Sequence, residues 1–131
     1  MFLNPLETYS EDFHYKIKYC ENHDFDWEEM MKNQGITNLS ITENSVKFSI
    51  LLLPYCNANK HNFKVKYERN GNELQVIAIF KDTKTTKCVC PVEIFGTISN
   101  LESGKYNLTF IFDNRYAGMK KVIDEKKFEI K

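Results

Sequence analysis

The fold is best predicted from one stretch of the sequence, Cys88-Val89-Cys90-Pro91-Val92-Glu93-Ile94-Phe95-Gly96-Thr97-Ile98. In an extended strand the side chains point alternately to the two faces. The two cysteines therefore share one face with three apolar residues, Val92, Ile94 and Ile98. The opposite face carries Val89, Glu93, Phe95 and Thr97. This alternation predicts a β-strand with one buried face, and it predicts that both cysteines are buried with the core.

The same two-residue period extends over most of the chain. It is seen at residues 13–20 and continues almost unbroken over residues 36–112. Asn70-Gly71 separates two such runs and is typical of a hairpin with a type I′ turn, because both central residues of that turn need positive φ. Short strands at a spacing of roughly ten to fifteen residues favour an antiparallel sandwich or barrel, and of these we predict the sandwich. The chain is therefore predicted to be all-β, an antiparallel immunoglobulin-like β-sandwich of seven to eight strands.

One short helix is predicted near residues 27–33. Asp26 followed three residues later by Glu29 forms a capping box, the pattern that begins many helices. Residues 1–12 carry no regular pattern and are predicted to form an irregular N-terminal arm. At 131 residues the whole chain, 1–131, is predicted to be a single β-sandwich domain.

The charges of the chain favour neither nucleic acid nor an anionic membrane as a partner. Eighteen basic residues balance eighteen acidic ones, so no overall field attracts polyanions. No transmembrane segment is predicted, because no apolar run approaches the length of a membrane span, and the run at residues 50–53 ends at Pro54. The N-terminus does not have the pattern of a secretory signal. The protein is expected in the cell envelope or secreted if a signal was removed, and otherwise in the cytoplasm.

No set of side chains suggests catalysis, and the protein is predicted not to be an enzyme. None of the three histidines, His14, His23 and His61, lies in a catalytic sequence context. Carboxylates at Asp26, Glu28 and Glu29 are explained by the dipole at a helix start. The expected partner is an unknown protein or carbohydrate ligand. Loop aromatics are candidates for stacking on a sugar, namely Tyr55 and Tyr116.

Three cysteines form the most distinctive candidate site. Cys56 follows an apolar strand, and Cys88 and Cys90 share one face of another. Cys88 and Cys90 are too far apart for an easy bridge with each other. Three readings remain open: a disulfide from Cys56 to one strand cysteine, a cluster of buried thiols, or a structural zinc held by Cys56, His61, Cys88 and Cys90. No cofactor is predicted, and zinc is the alternative.

Residues 46–112 resemble small secreted or lipid-anchored immunoglobulin-like β-sandwich proteins of Bacteroidetes. The resemblance depends on Cys56 after a strand, on the Cys88-Val89-Cys90 strand, and on the turn Leu101-x-x-Gly104-x-Tyr106. It implies a sandwich fold and an envelope location, and it implies no reaction. The resulting function hypothesis is a non-catalytic binding or accessory module of a bacterial cell envelope. The alternative is an intracellular protein that binds a protein partner, as immunity proteins do.

Overall fold

The computed structural model describes residues 12–20, 26–86 and 88–131, so residues 1–11 of the predicted arm lie outside the described residues. The described part contains one six-residue helix and eight strands. They are β1 (Phe13–Lys18), α1 (Trp27–Lys32), β2 (Gly35–Thr42), β3 (Ser45–Leu52), β4 (Phe63–Asn70), β5 (Glu73–Phe80), β6 (Val92–Ile98), β7 (Gly104–Asn114) and β8 (Met119–Ile130).

The strands form two sheets of four. Their orders are β1-β6-β3-β2 and β4-β5-β7-β8. Among the described strands, five of the six neighbouring pairs are antiparallel, and β5 runs parallel to β7 because the chain crosses to the other sheet as β6 between them. An immunoglobulin constant domain has the orders A-B-E-D and C-F-G. The β-sandwich prediction is confirmed, whereas the immunoglobulin-like connectivity is not confirmed by this strand order.

The core lies between the two sheets and is built from the alternating apolar residues. On β3 the fully buried side chains include Val46, Ile50 and Leu52, while Lys47 is exposed. On the facing sheet, β5 and β7 bury apolar rows of their own, namely Leu74, Val76, Ala78, Phe80, Leu108 and Phe110. Burying one such side chain contributes roughly 1.5–3 kcal/mol. The two-residue period therefore decides which face of each strand points inward.

The predicted cysteine strand is shorter than expected at its beginning. Regular pairing of β6 begins at Val92, and the preceding segment makes only an isolated bridge between Val89 and Tyr55. Pro91 and Pro54 lie on the two facing segments and have no backbone N–H to donate, so regular strand pairing ends there. The expected apolar alternation of β6 itself, from Val92 to Ile98, is confirmed.

The hairpin predicted at Asn70-Gly71 is present between β4 and β5, with its turn shifted by one residue. Asn70 pairs with Glu73, so the two central residues are Gly71 and Asn72. Gly71 has a φ of +62°, and it is the only one of the two with positive φ. A positive φ at the first central position alone fits a type II′ turn and corrects the predicted type I′ turn.

The predicted helix is confirmed as α1. The Asp26 side chain accepts a hydrogen bond from the Glu29 backbone N–H at 3.3 Å, as the capping box requires. Lys32 in the last turn complements the negative end of the helix. The helix leads into β2, whose Ile36 backbone N–H donates to the Asp124 carboxylate of β8 at 2.8 Å. This bond ties together the edge strands on one side of the sandwich.

A tyrosine fixes the turn before β7. The Tyr106 hydroxyl donates to the backbone oxygen of Glu102 at 2.7 Å. Its ring is buried and stacks on Phe128, with 5.4 Å between the ring centroids. The hydrogen bond and the ring packing therefore hold the chain where it passes from β6 to β7.

Candidate functional site

Two disulfides hold together the end of the sandwich where β6 begins. They join Cys56 to Cys88 and Cys20 to Cys90, with Cα atoms 5.5 Å and 5.7 Å apart. The predicted bridge from Cys56 to a strand cysteine is thus present, with Cys88 as the partner. No cysteine among the described residues is free. The alternative of a buried thiol cluster is wrong, because all four cysteines are paired in disulfides.

The second bridge was not expected from the sequence. Cys20 lies on the polar face of the β1 pattern and is 70 residues from Cys90. The available sequence clue was the even number of cysteines, four, which is typical of a disulfide framework. The position of Cys20 near Cys90 follows from the antiparallel pairing of β1 with β6, which places Lys18 opposite Glu93.

The two strand cysteines differ in exposure, which corrects the prediction that both are buried. Cys90 is 1% exposed, whereas Cys88 is exposed at the surface. Backbone hydrogen bonds hold both cysteines against the segment after β3: Cys90 N–H donates to Pro54 O at 3.0 Å, and Cys56 N–H donates to Cys88 O at 3.1 Å. Cys88 is bonded to Cys56 at the surface, whereas the buried Cys90 is bonded to Cys20.

The alternative zinc set is not brought together. Cys90 is bonded to Cys20, so it does not share a centre with Cys56 and Cys88. His61 is exposed, and its backbone N–H donates to the Asn59 side chain at 2.8 Å. Within residues 12–20, 26–86 and 88–131, no group of three or more His, Cys, Asp or Glu side chains is arranged to hold a metal ion.

The loop aromatics proposed for sugar stacking are largely used in packing. The Tyr55 ring lies 5.2 Å from Phe80 and 5.9 Å from Tyr116, measured between ring centroids. Its hydroxyl accepts a hydrogen bond from the Asn114 side chain at 3.1 Å. Tyr55 is therefore a structural residue that joins the loop after β3 to the β7–β8 hairpin. Tyr116 remains 45% exposed at the tip of that hairpin.

One surface groove runs between the edge strands β1 and β4 and has a volume of about 920 Å³. We call it the edge groove, and its lining includes Phe13, Tyr15, Val65, Tyr67, Arg69 and Gln75. The Phe13 ring stacks against Tyr15 and Tyr67, at centroid distances of 5.4 Å and 5.2 Å. The Arg69 guanidinium lies 5.6 Å from the centre of the Tyr106 ring. The groove thus combines aromatic rings with charged side chains of both signs, since Glu68 and Glu73 line it together with Arg69.

At the C-terminal end of β1, aromatic packing closes the space between β1 and β4. Tyr19 meets Phe63 edge to face at a centroid distance of 6.3 Å. Burial raises the pKa of the Tyr19 phenol, and the neighbouring Tyr15 adds to the increase. The phenol is therefore neutral at physiological pH, and Tyr19 adds no charge at this end of β1.

The second groove lies on the outer surface of the β1-β6-β3-β2 sheet and has a volume of about 460 Å³. We call it the face groove, and its lining includes His14, Lys16, Lys47, Ser49, Phe95 and Thr97. The Phe95 ring is 43% exposed although it lies on a central strand. Its pairing residues are Lys16 on β1 and Ser49 on β3. The face groove is therefore polar and cationic around the exposed Phe95 ring.

The two grooves meet at Tyr15. This residue lines both of them and is 42% exposed. Edge strand β1 forms the ridge between the grooves, and the Cys20–Cys90 disulfide fixes the chain just beyond its C-terminal end. A ligand that crosses β1 would contact Tyr15 and Phe95 on a rigid support. The sequence did not single out this pair, because exposure of an aromatic residue depends on strand order.

No helix among the described residues has the length and hydrophobicity needed to cross a membrane. Comparison of the chain with protein-family models, with curated proteins and with solved structures finds no match. The function must therefore be argued from the geometry of the two grooves and from the disulfides.

Proposed function

We propose that this protein is a non-catalytic binding module whose ligand lies across β1, in the edge groove and the face groove together. The observation that carries the proposal is Tyr15, a half-exposed aromatic residue that lines both grooves. Binding sites typically combine concave shape, aromatic surface and a few polar groups on a rigid scaffold. Both grooves have this composition, and both rest on strands.

Exposed aromatic rings on regular strands are the energetic basis of the proposal. Tyr15 and Phe95 keep 42% and 43% of their surface in contact with solvent. Covering apolar surface is favourable by about 25 cal/mol per Å², and rings on strands lose little further freedom on binding. A ligand with a flat or apolar face therefore gains affinity here.

The proposed location is the cell envelope of a bacterium or the extracellular space. Disulfides persist in oxidising compartments and are rare in the cytosol, where thiols are kept reduced. Two disulfides in 131 residues support an oxidising compartment and weigh against the intracellular immunity-type alternative. The resemblance to envelope proteins points in the same direction.

The binding proposal is tested with the purified, oxidised protein on glycan and peptide arrays. We expect captured ligands whose binding is lost or strongly reduced in Tyr15→Ala and in Phe95→Ala. Tyr116→Ala is the matched control, because Tyr116 is equally exposed at 45% but lies on the β7–β8 hairpin. Unfolding midpoints of all variants should stay close to wild type. Ligand capture that depends on Tyr116 rather than on Tyr15 and Phe95 would contradict the proposal.

The location is tested by comparing production in a reducing cytosol with production in an oxidising periplasm. We expect the periplasmic protein to carry both bridges and to unfold cooperatively. The cytosolic protein should be reduced and less stable. Equal stability of the reduced and oxidised proteins would remove the argument from the disulfides.

A further inference from the structure

We infer that the face groove binds an anionic polysaccharide that carries carboxylate groups, such as a polymer of uronic acids. This inference rests on the proposed function and adds the chemical class of the ligand. It is carried by three features of the β1-β6-β3-β2 sheet: two lysines that lie opposite uncharged residues, an exposed ring between them, and polar side chains without hydrogen-bond partners among the described residues.

The first feature is the lack of charge compensation. In the sheet register Lys16 lies opposite Phe95, and Lys47 lies between Thr97 and Ser40. Neither lysine forms an ion pair with any described residue. Directly opposed charges of opposite sign are the usual way for a sheet to balance lysines. Glu93 lies diagonal to Lys16 in the register, but no carboxylate lies directly opposite either lysine, so the face groove presents positive charge.

The face groove differs from other lysine-bearing parts of the two sheets in what surrounds its lysines. Lysines elsewhere lie opposite acidic residues at Lys18, Lys105 and Lys120, and opposite uncharged residues at Lys126 and Lys127. The face groove is therefore distinguished by the exposed ring and the polar side chains beside its lysines, and not by the lysines alone. The net charge of the whole chain is zero, so its positive charge complements an anion that binds locally.

The second feature is the exposed Phe95 ring. The register places Phe95 opposite Lys16 on β1. On β3 it lies opposite Ser49, two residues along the strand from Lys47. Strand spacing puts the Cα atoms of the two lysines about 12 Å apart across the ring. A sugar ring can lay its C–H face on the phenyl ring while carboxylates of a longer chain reach the lysines on either side. This span favours a polymer over a single sugar acid.

The third feature is a set of available hydrogen-bonding groups. The side chains of Asn38, Ser40 and Thr97 make no hydrogen bond with any other described residue, and all three line the same groove. Ser49, by contrast, already shares a hydrogen bond with Thr37 at 2.9 Å between hydroxyl oxygens. Sugar hydroxyls can donate to and accept from the three available groups. An acidic peptide would present few such hydroxyls, so the observations favour the polysaccharide.

Affinity electrophoresis of the oxidised protein tests the inference with polygalacturonate as the probe. Dextran serves as the neutral polysaccharide and poly-glutamate as the acidic peptide. We expect retardation by polygalacturonate, weaker retardation by the other two, and a loss of affinity at higher salt because exposed ion pairs are screened. Replacing both lysines, as Lys16→Gln with Lys47→Gln, should weaken binding about fivefold or more.

The matched control is the double variant Lys120→Gln with Lys127→Gln, which removes the same charge from β8 of the other sheet. It should bind polygalacturonate as wild type does. Equal effects of the two double variants would overturn the inference, since binding would then follow net charge alone. Retardation by poly-glutamate as strong as by polygalacturonate would also overturn it and would point to an acidic polypeptide.

The remaining outcomes separate this inference from the proposed function. Binding of dextran that is lost in Phe95→Ala but unchanged in the lysine variants would overturn the anionic ligand and keep the binding module. No retardation by any polymer would overturn the inference, and the arrays would still test the module by themselves. A folded wild-type protein that binds nothing in either experiment contradicts both proposals.

Discussion

Cys56 lies directly opposite Cys88 in the same register that pairs β3 with β6. The pairs Leu52–Val92 and Tyr55–Val89 belong to one antiparallel alignment, which continues past the two prolines. The disulfide therefore adds a covalent link within this register, beside the backbone hydrogen bond from Cys56 N–H to Cys88 O. The Cys20–Cys90 bridge attaches the end of β1 to the same segment. Both bridges support the strands that carry the two grooves.

Removing either disulfide should destabilise the protein substantially. The loops closed by Cys56–Cys88 and Cys20–Cys90 span 32 and 70 residues. On the chain-entropy estimate the bridges contribute roughly 3.7 and 4.4 kcal/mol. Paired Cys→Ser variants are compared by urea denaturation. Intact mass should show a gain of two hydrogens per bridge on reduction. No gain in mass on full reduction would show that the bridges do not form.

The two disulfides should be reduced in a fixed order. Cys88 is exposed, whereas Cys90 is 1% exposed, and reduction requires access of a thiolate to sulfur. With increasing dithiothreitol under native conditions, Cys56 and Cys88 should be alkylated first. Peptide mapping by mass spectrometry measures the order. The reverse order would mean that the segment before β6 opens more readily than its burial indicates.

Gly96→Ala should destabilise the sandwich by roughly 1–3 kcal/mol, because the core has no space for another atom at this position. A Cβ on Gly96 would lie within 3.0 Å of the Phe48 ring, and both residues are buried. Urea denaturation measures the effect. The control is Gly96→Ala combined with Phe48→Leu, which should cost less than the sum of the two single changes. Additive effects would show that the ring is not the obstacle.

Asp82 should make stability depend on pH in the acid range. Hydrogen bonds from the Asn62 side chain and from the Lys84 backbone hold the pKa of Asp82 below its ordinary value. The unfolded state therefore binds more protons, and the contribution is present above about pH 3.9 and is lost as the pH falls further. Asp82→Asn should be less stable than wild type at pH 7.

The difference between Asp82→Asn and wild type should shrink as the pH falls from 7 to 3, and melting temperatures measure it. Glu102→Gln is the control, since the Glu102 carboxylate makes no hydrogen bond with a described residue and only its backbone oxygen is used. A constant difference across this range would mean that the amide variant disturbs the loop for a reason other than charge.

The residue pattern was enough to predict the secondary structure and the sandwich class. In β3 and β5 the apolar residues recur at every second position, and this pattern places them on one face only if the segment is a strand. The capping box of Asp26 and Glu29 likewise predicted α1. The residue types at the hairpin, however, predicted its turn one residue too early. Gly71 can adopt positive φ at either central position, so composition alone does not choose between them.

The cysteine partners, the strand order and the exposure of the aromatic residues depend on contacts between distant parts of the chain, so they are known only from the folded structure. Cys20 and Cys90 are 70 residues apart and become neighbours only because β1 pairs with β6. Likewise, Tyr15 shares the periodic face of Phe13, yet it is half-exposed because β1 is an edge strand. Periodicity fixes the face on which a side chain lies, whereas strand order fixes what covers that face. Long-range pairing therefore created the two grooves.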